Sequence, residues 1–196
     1  MISYLEGKIA ELDPTYVIID VQGVGYQAYI SLNTFSKLKQ KEKTKLITHL
    51  HVREDLQVLY GFNDQSEKSL FLLLISVSGI GPNTAIVMLS SLSVAEVKNA
   101  IVTNDVKKIQ SVKGIGAKTA QRTILELKDK ILKHESSEQT SDISSFSNNN
   151  MRGEALSALI TLGINKSMAE KNVATVLKTH GDNITLEELI KLSLKS

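Results

Sequence analysis

Two short glycine turns are the residues of this sequence best suited to bind a charged ligand. Residues 77–85 recur 35 positions later as residues 112–120, with six of nine residues identical and Gly-Ile-Gly at the centre of each copy. Each copy lies between segments of helical periodicity. The first amides of a helix lack intrahelical acceptors, and glycine lets an anion approach the backbone closely. The repeat therefore predicts two phosphate-binding turns.

Backbone amides and a few side chains are the candidate ligands in these turns. They belong to Gly79, Gly81 and Asn83 in the first copy and to Gly114, Gly116, Lys118 and Arg122 in the second. Because such groups contact phosphates rather than base edges, binding should be independent of base sequence and sensitive to salt. The alternative is that Gly-x-Gly only lets two helices pack closely. A nucleotide-binding loop fits poorly, since neither copy follows a strand or continues to Gly-Lys-Ser/Thr.

The distribution of charge agrees with a polyanionic partner for the middle of the chain. Residues 63–133 carry ten Lys and Arg against six Asp and Glu, whereas residues 1–62 carry seven of each. The 196 residues include no cysteine, which excludes disulfides and thiolate chemistry. The N-terminus shows no signal-peptide pattern and no apolar run has membrane length, so we expect a cytoplasmic protein without a membrane partner.

Periodicity divides the first two thirds of the chain into two domains. Residues 1–62 alternate apolar and polar side chains, which predicts five or six strands in an OB-fold β-barrel. Turn residues interrupt this alternation at Asp13-Pro14, at Gly23-Val24-Gly25 and in the Lys-rich stretch 37–45. Residues 63–133 are helical, with a capping box at Ser93 to Glu96, and form the candidate DNA-binding domain.

The last third of the chain is predicted to contain a linker and a small helical domain. Residues 134–150 are polar and rich in Ser and Asn, and we expect a flexible linker because they have too little apolar surface to offset ordering. Residues 151–196 predict a three-helix bundle. Its helices are predicted at Met151–Leu162, Lys166–Thr179 and Leu186–Leu194, the last opened by a capping box at Thr185.

The paired turns belong to a wider set of motifs. Tandem Val-x-Gly-Ile-Gly-x-x-Thr-Ala turns resemble the helix-hairpin-helix motifs of DNA-repair and recombination proteins. The other motifs are Met-Ile-Ser-Tyr-Leu-Glu-Gly at the N-terminus, Gly-Val-Gly-Tyr at 23–26, Val-Arg-Glu-Asp at 52–55 and Leu-Tyr-Gly-Phe at 59–62. With these, the sequence resembles the RuvA family of Holliday-junction branch-migration subunits over essentially its full length. The resemblance implies an α+β multidomain fold with an OB-fold barrel, a tandem helix-hairpin-helix domain and a three-helix UBA-like bundle.

The resemblance also implies a function and its partners. It implies a homotetramer that binds four-way DNA junctions, as one tetramer or as an octamer of two, and that recruits the RuvB ATPase motor, with the RuvC resolvase as a further partner. ATP hydrolysis then belongs to the motor, and this chain is expected to be no enzyme and to need no cofactor. Arg53, Glu54 and Asp55 match the family's acidic pin, whose carboxylates would repel phosphates at a fourfold axis. An ordinary solvated turn is the alternative for these three residues.

Two further features concern the motor partner and the first glycine turn. Leu159, Leu162 and Ile164, with Gly163, match the region where the family docks its motor, although filling the bundle's own core is the alternative for Leu159. The sequence departs from the family at Asn83, where lysine is frequent. We therefore expect a weaker electrostatic grip at the first hairpin than at the second.

Other classes of function are compatible with parts of the sequence. A helix-hairpin-helix glycosylase or nuclease would need a catalytic residue beyond the hairpin, such as Lys128 or Asp129, and a pocket for a base. A single-strand DNA binder would use the barrel, and a protein-interaction scaffold would bind no DNA. His49 and His51 share a strand face but lack metal-ligand spacing with acids, so no metal site is expected.

Overall fold

A computed structural model of the protein describes residues 1–138, 147–180 and 184–195. The chain forms two compact units, Met1–Glu135 and Ser136–Ser196. The first unit contains a barrel and a helical region, and the second contains a helical bundle.

The N-terminal part of the first unit is a five-stranded barrel. Its strands are β1 (Tyr4–Leu12), β2 (Tyr16–Val21), β3 (Val24–Ile30), β4 (Lys43–Val52) and β5 (Gln57–Phe62). They close in the order β1-β2-β3-β5-β4, and only β3 and β5 pair in parallel. Alternate residues such as Val17 and Ile19 are fully buried inside the barrel. The predicted OB-fold barrel is confirmed.

The period-two pattern of residues 1–62 did not predict one helix of the barrel. Helix α1 (Leu32–Leu38) lies between β3 and β4, and the Ser31 hydroxyl caps it by accepting the Thr34 amide at 3.0 Å. The Lys-rich stretch 37–45 is therefore not one long break, because it includes the end of α1 and the start of β4 at Lys43. The prediction of strands alone was wrong here, since a single cap and one buried face are enough for a two-turn helix.

The tight turn between β2 and β3 is also shifted from its predicted position. Gln22 and Gly23 have positive φ angles of 53° and 88°, which is the geometry of a two-residue hairpin turn. Val24 and Gly25 already belong to β3. The turn is therefore formed by Gln22 and Gly23 rather than by the Gly-Val-Gly stretch as a whole.

Five helices follow the barrel in the chain. They are α2 (Gln65–Ile75), α3 (Pro82–Ser91), α4 (Val94–Val102), α5 (Val106–Gln110) and α6 (Ala117–Glu138). We call α2, residues 76–81 and α3 hairpin 1, and α5, residues 111–116 and α6 hairpin 2; α4 connects them. One apolar core joins the barrel residues Tyr60 and Phe62 to Phe71 and Leu74 of α2. The barrel and the hairpins therefore share a core.

The predicted capping box at the start of α4 is confirmed. The Ser93 hydroxyl accepts the Glu96 amide at 3.2 Å, and the Glu96 carboxylate accepts the Ser93 amide at 2.9 Å. Lys108 of α5 also donates to Glu96 at 3.1 Å. The Ser93 amide, helped by Lys108 and the Ser93 hydroxyl, lowers the pKa of Glu96 to about 2. The ionised form of Glu96 is therefore favoured by folding.

Replacing Glu96 by glutamine is expected to lower the melting temperature most above pH 5. A pKa that is depressed in the folded state gives stability that is present above the ordinary value of 4.5 and is lost as pH falls toward about 2. The difference in Tm between wild type and Glu96→Gln should therefore shrink as pH is lowered from 6 to 2.5. Glu6→Gln, at an exposed position on β1, is the control. A difference in Tm that stays constant across this range contradicts the prediction.

Buried polar contacts attach the barrel helix α1 to the hairpins. The Glu67 carboxylate is only 3% exposed and accepts the hydroxyls of Ser31 and Thr34, the latter at 2.6 Å. The Thr34 oxygen in turn accepts the Asn63 amide at 3.1 Å. The Asn33 side-chain amide donates to the Leu89 carbonyl near the end of α3 at 2.6 Å. These contacts, called the α1 lock below, fix the barrel against both helices of hairpin 1.

The second unit is a three-helix bundle, as predicted. Its helices are α7 (Ser147–Thr161), α8 (Lys166–His180) and α9 (Leu186–Lys195). Their fully buried core residues include Ala155, Leu159, Ala169, Val173 and Leu189. The capping box at Thr185 and Glu188 is present, with hydrogen bonds of 3.2 Å and 3.3 Å.

The predicted linker is corrected at both of its ends. Residues 134–138 continue α6, and residues 147–150 form the first turn of α7. Extending an existing helix adds one hydrogen bond for each residue that is fixed, so polar residues can prolong a helix that they would not nucleate. The rest of the predicted linker, residues 139–146, lies outside the described residues.

No single helix in the described ranges has both the length and the apolar composition to cross a membrane. Helices α3 and α4 meet that criterion only as a pair, and the pair is bent by 100° at its break.

Candidate nucleic-acid interface

The two glycine turns have the same backbone geometry. Gly79 and Gly114 have φ angles of 97° and 91°, a conformation that L side chains rarely adopt. Ile80 and Ile115 follow them and are buried, and each donates its amide at 3.1 Å to the valine carbonyl three residues before it. The buried isoleucine fixes the turn in the core. The glycines are left on the surface.

Several amides of these turns have no acceptor among the described residues. In hairpin 1 they belong to Gly79, Gly81, Asn83 and Thr84, and in hairpin 2 to Gly114, Gly116, Ala117, Lys118 and Thr119. They lie at the N-termini of α3 and α6, where the helix dipole is positive. Exposed donors that converge at a helix N-terminus form a favourable site for an anionic oxygen. The four glycines predicted from the repeat therefore have amides without acceptors, as such a site would need.

The two turns lie next to each other in the folded unit. A Cβ atom built on Gly79 would lie 3.5 Å from the Thr119 hydroxyl oxygen. Arg122 of α6 donates from Nη1 to the Ser78 carbonyl at 3.3 Å. The two turns, 35 residues apart in the sequence, are thus in direct contact. Their backbone amide donors therefore belong to one surface.

The charged side chains of this surface are confined to hairpin 2. Hairpin 2 carries Lys113, Lys118 and Arg122, all exposed, and the equivalent positions of hairpin 1 are Ser78, Asn83 and Val87. Lys113 is absent from the candidate residues named from the sequence, although the 35-residue offset places it opposite Ser78. The cationic groups that can hold a phosphate therefore lie on one hairpin, while both hairpins offer amides.

The Asn83 side chain is tied to the barrel. Its Oδ1 atom accepts the Tyr60 hydroxyl at 3.0 Å, so the amide oxygen is already used inside the protein. The backbone amide of Asn83 stays available, as expected from the sequence. Asn83 contributes a neutral donor where a lysine would contribute a full charge.

Substituting Gly114 is expected to reduce junction binding more than substituting Gly79. Alanine at either position meets the same backbone strain, of about 1–2 kcal/mol, because both φ angles are positive. Displacing the turn of hairpin 2 also misplaces its cations, so we expect about a tenfold loss for Gly114→Ala and about threefold for Gly79→Ala. Titration of a labelled four-way junction measures both. Equal losses would contradict the expected difference between the hairpins.

The candidate pin residues form the exposed turn between β4 and β5. Arg53, Glu54 and Asp55 are all exposed, and the Arg53 amide closes the turn on the Leu56 carbonyl at 2.8 Å. The Arg53 side chain donates from Nε to Nε2 of His51 at 3.1 Å. Within one chain the pin and the glycine turns lie on different elements, and no contact between them is described. The acidic character of the turn therefore rests on Glu54 and Asp55 alone.

The candidate partner residues of the bundle differ in exposure. Leu162 is 61% exposed, whereas Leu159 is fully buried and Ile164 is half-buried against the bundle core. The core role that was the alternative for Leu159 is the one that its burial supports. Ile160 near the end of α7 and Met168 near the start of α8 are also exposed, at 44% and 55%, and were not predicted. Their exposure marks them as candidate partner contacts, but helical periodicity alone could not distinguish an exposed apolar residue from a core residue.

Several features bear on the enzymatic alternative. Lys128 donates to Asn104 at 3.0 Å, and neither Lys128 nor Asp129 lines either of two open clefts of about 500 Å³ in the described residues. Those residues contain no group of three metal-ligating side chains. The His49 ring packs at a 57° tilt against the Phe71 ring, with the centroids 5.7 Å apart, and burial, with the charges of His51 and Lys68, lowers the pKa of His49.

Comparison with curated proteins decides the family. The Holliday junction branch migration complex subunit RuvA of Cytophaga hutchinsonii is 55% identical over 197 aligned residues, which cover all of this chain and 99% of that protein. The chain belongs to the RuvA family. RuvA subunits of Christiangramia forsetii and Flavobacterium psychrophilum are 51% and 50% identical, again over the whole of this chain.

Family models assign the parts of the chain to RuvA domains. The RuvA N terminal domain matches residues 1–61, a SAM-like helix-hairpin-helix tandem matches residues 71–129, and the RuvA C-terminal domain matches residues 150–196. The resemblance found from the sequence motifs is therefore confirmed. The barrel, the tandem hairpins and the helical C-terminal domain are those of the RuvA family.

Proposed function

We propose that this protein binds four-way DNA junctions as a non-catalytic subunit of a branch-migration complex that acts in recombination and DNA repair. The observation that carries the proposal is the pair of glycine turns with exposed amides lacking acceptors, joined in one surface beside Lys113, Lys118 and Arg122. The names of its relatives, as subunits of a Holliday junction branch migration complex, support it. Neither a metal nor a cofactor is needed for this function.

The turns are proposed to hold DNA by its phosphates. Amides at the starts of α3 and α6 donate to phosphate oxygens, and the cations of hairpin 2 add charge-assisted contacts. None of these groups reads a base edge, so affinity should not depend on base sequence. The logarithm of the binding constant should fall linearly with the logarithm of salt concentration.

Selection of a junction over continuous duplex is proposed to come from assembly. The assembly is a homotetramer, or an octamer made of two tetramers. In each tetramer four copies of the turn at Glu54 and Asp55 meet near the fourfold axis. Carboxylates at that point repel phosphates of a duplex that crosses the centre, whereas the strands of an open junction separate around them. The paired glycine turns attract the duplex arms of the junction, and the pin carboxylates exclude a continuous duplex from the centre.

Neutralising the pin is expected to weaken discrimination between junction and duplex. Replacing Glu54 by glutamine and Asp55 by asparagine together removes eight negative charges from a tetramer, and we expect duplex affinity to rise by about tenfold with little change for the junction. Competition binding between the two DNAs measures the ratio. Glu170→Gln with Glu187→Gln, at exposed positions of the bundle, is a control for net charge. An unchanged ratio contradicts the proposed role.

The bundle is proposed to dock the motor. Ile160, Leu162 and Met168 are exposed on either side of and within the turn between α7 and α8, and we call these three side chains the apolar patch; Ile164 in the same turn is half-buried against the bundle core. In this proposal the RuvB ATPase binds that patch and hydrolyses ATP, the RuvC resolvase joins the assembled complex, and all of them act in the cytoplasm. Leu159 contributes through the bundle core rather than by contact.

Two measurements test the proposed function. A gel-shift competition between four-way, duplex and single-stranded DNA should give the order junction, duplex, single strand, with no cleavage of any substrate. Preference for the single strand favours a barrel-based strand binder, and cleavage without partners favours a repair enzyme. Native mass measurement with an immobile junction should give four or eight chains per DNA. A monomer that ignores junctions would refute the proposal.

A further inference from the structure

Arg53 lies beside two carboxylates in the sequence and pairs with neither of them. The ion pairs found in the described residues are Lys37–Asp64, Lys108–Glu96 and Arg122–Glu126. Arg53 instead donates its Nε hydrogen to the His51 ring, at 3.1 Å. The guanidinium is therefore held back along β4, on the face that carries His49 and His51, rather than closed onto the acidic tip of the turn.

Most of the donor capacity of Arg53 is free in this position. A guanidinium has five N–H donors, of which Nε supplies one and the two Nη atoms supply four. The structure gives Arg53 no side-chain acceptor other than His51 among the described residues. Arg53 is also exposed. Four free donors in a planar fork match the oxygens of a phosphodiester, which arginine binds in a bidentate manner.

A connected row of side chains leads from Arg53 to hairpin 1. The His51 ring meets the edge of Tyr60 with a centroid separation of 6.5 Å, and the Tyr60 hydroxyl donates to Asn83 at 3.0 Å. Burial and Tyr29 raise the pKa of Tyr60, and the positive charge of Arg53 opposes that rise. The charge of Arg53 therefore acts on Tyr60. The row connects the phosphate-binding turn that lacks cations to the base of the pin.

We propose that Arg53, positioned by His51, is a phosphate-binding residue that holds a DNA strand between hairpin 1 and the pin. This inference rests on the proposed junction binding. It separates Arg53 from the pin, since the arginine attracts the backbone at the base of the turn while Glu54 and Asp55 repel it at the tip. Arg53 also supplies a positive charge beside hairpin 1, where Asn83 is neutral, and it does so from the barrel rather than from the hairpin.

The salt dependence of junction binding tests the contact. Each lost phosphate contact reduces the slope of log K against log salt by about 0.9, so Arg53→Gln should reduce it by about 3 to 4 in a tetramer and weaken binding about tenfold near 0.1 M salt. Arg53→Lys keeps the charge and should retain most of the slope. Arg152→Gln, an exposed arginine of α7, is the matched control and should retain all of it.

The possible outcomes separate the inference from the proposed function. Wild-type affinity with an unchanged slope in Arg53→Gln overturns the inference while leaving junction binding intact. A wild-type chain that binds no junction overturns both. Reduced slope in Arg53→Gln, with wild-type slope in Arg152→Gln, supports the contact.

The positioning role of His51 has its own test. His51→Phe keeps a ring against Tyr60 but removes the acceptor for Arg53, so its slope should fall toward that of Arg53→Gln. His51→Gln restores a side-chain acceptor and should recover most of the slope. Tyrosine fluorescence during urea unfolding checks that both variants fold. A folded His51→Phe variant with the full wild-type slope overturns the positioning role.

Discussion

Replacing Lys118 and Arg122 together by glutamine is expected to weaken junction binding by about a thousandfold at 50 mM salt. A tetramer loses eight cations beside its unpaired amides, so the slope of log K against log salt should fall by about 7, at about 0.9 for each contact. The residual affinity should keep part of its salt dependence, because Lys113 and Arg53 remain in this variant, while the contribution of amides and helix dipoles is unchanged. Fluorescence anisotropy of a labelled junction, measured from 50 to 300 mM salt, gives both quantities.

The control for this variant removes the same charge elsewhere. Lys171 and Lys178 are exposed on α8 of the bundle, and replacing both by glutamine should leave affinity and slope close to wild type. A similar loss in the two double variants would mean that net charge, rather than the surface at hairpin 2, determines binding. Wild-type affinity for Lys118→Gln with Arg122→Gln would remove hairpin 2 from the interface.

Replacing Glu67 by alanine is expected to destabilise the first unit by about 3 kcal/mol, because two buried hydroxyls lose their acceptor and a cavity is left. Glu67 is the centre of the α1 lock and accepts Ser31 and Thr34. Urea unfolding followed by tyrosine fluorescence measures the loss. All five tyrosines lie within residues 1–62, so this signal does not report on the bundle.

Two further substitutions sharpen the test of the α1 lock. Glu67→Gln keeps one acceptor and should cost less than alanine, about 1–2 kcal/mol. Glu170→Ala, at an exposed position of α8, should leave the tyrosine transition unchanged. A loss below about 1 kcal/mol for Glu67→Ala would mean that the apolar core alone holds α1 against the hairpins.

Features encoded by local sequence were predictable. The two turns need a positive φ at residues 79 and 114, and both positions are glycine, the residue that adopts it most readily. The capping boxes at Ser93 and Thr185 likewise depend on residues three positions apart. Since the donors of a glycine turn are backbone amides, most of the candidate DNA contacts followed from the repeat alone.

Features that depend on contacts between distant residues were not predictable. The Tyr60 to Asn83 hydrogen bond joins a strand to a helix, and nothing near either residue indicates it. The same holds for Glu67, whose partners lie 33 and 36 residues away, on α1 and at its N-cap. Leu159 and Leu162 look alike in a helical pattern, and only the packed bundle separates a core residue from an exposed one.

The α1 lock determines which molecule must change shape when DNA is bound. The α1 lock, the Tyr60–Asn83 hydrogen bond and a shared apolar core hold the barrel at a fixed position against the first hairpin. A stiff template cannot adjust to the curvature of its ligand, so the elastic energy of fitting is stored in the DNA. The DNA at the crossover should accordingly distort more than the protein does when the two bind, whatever the base sequence of the junction.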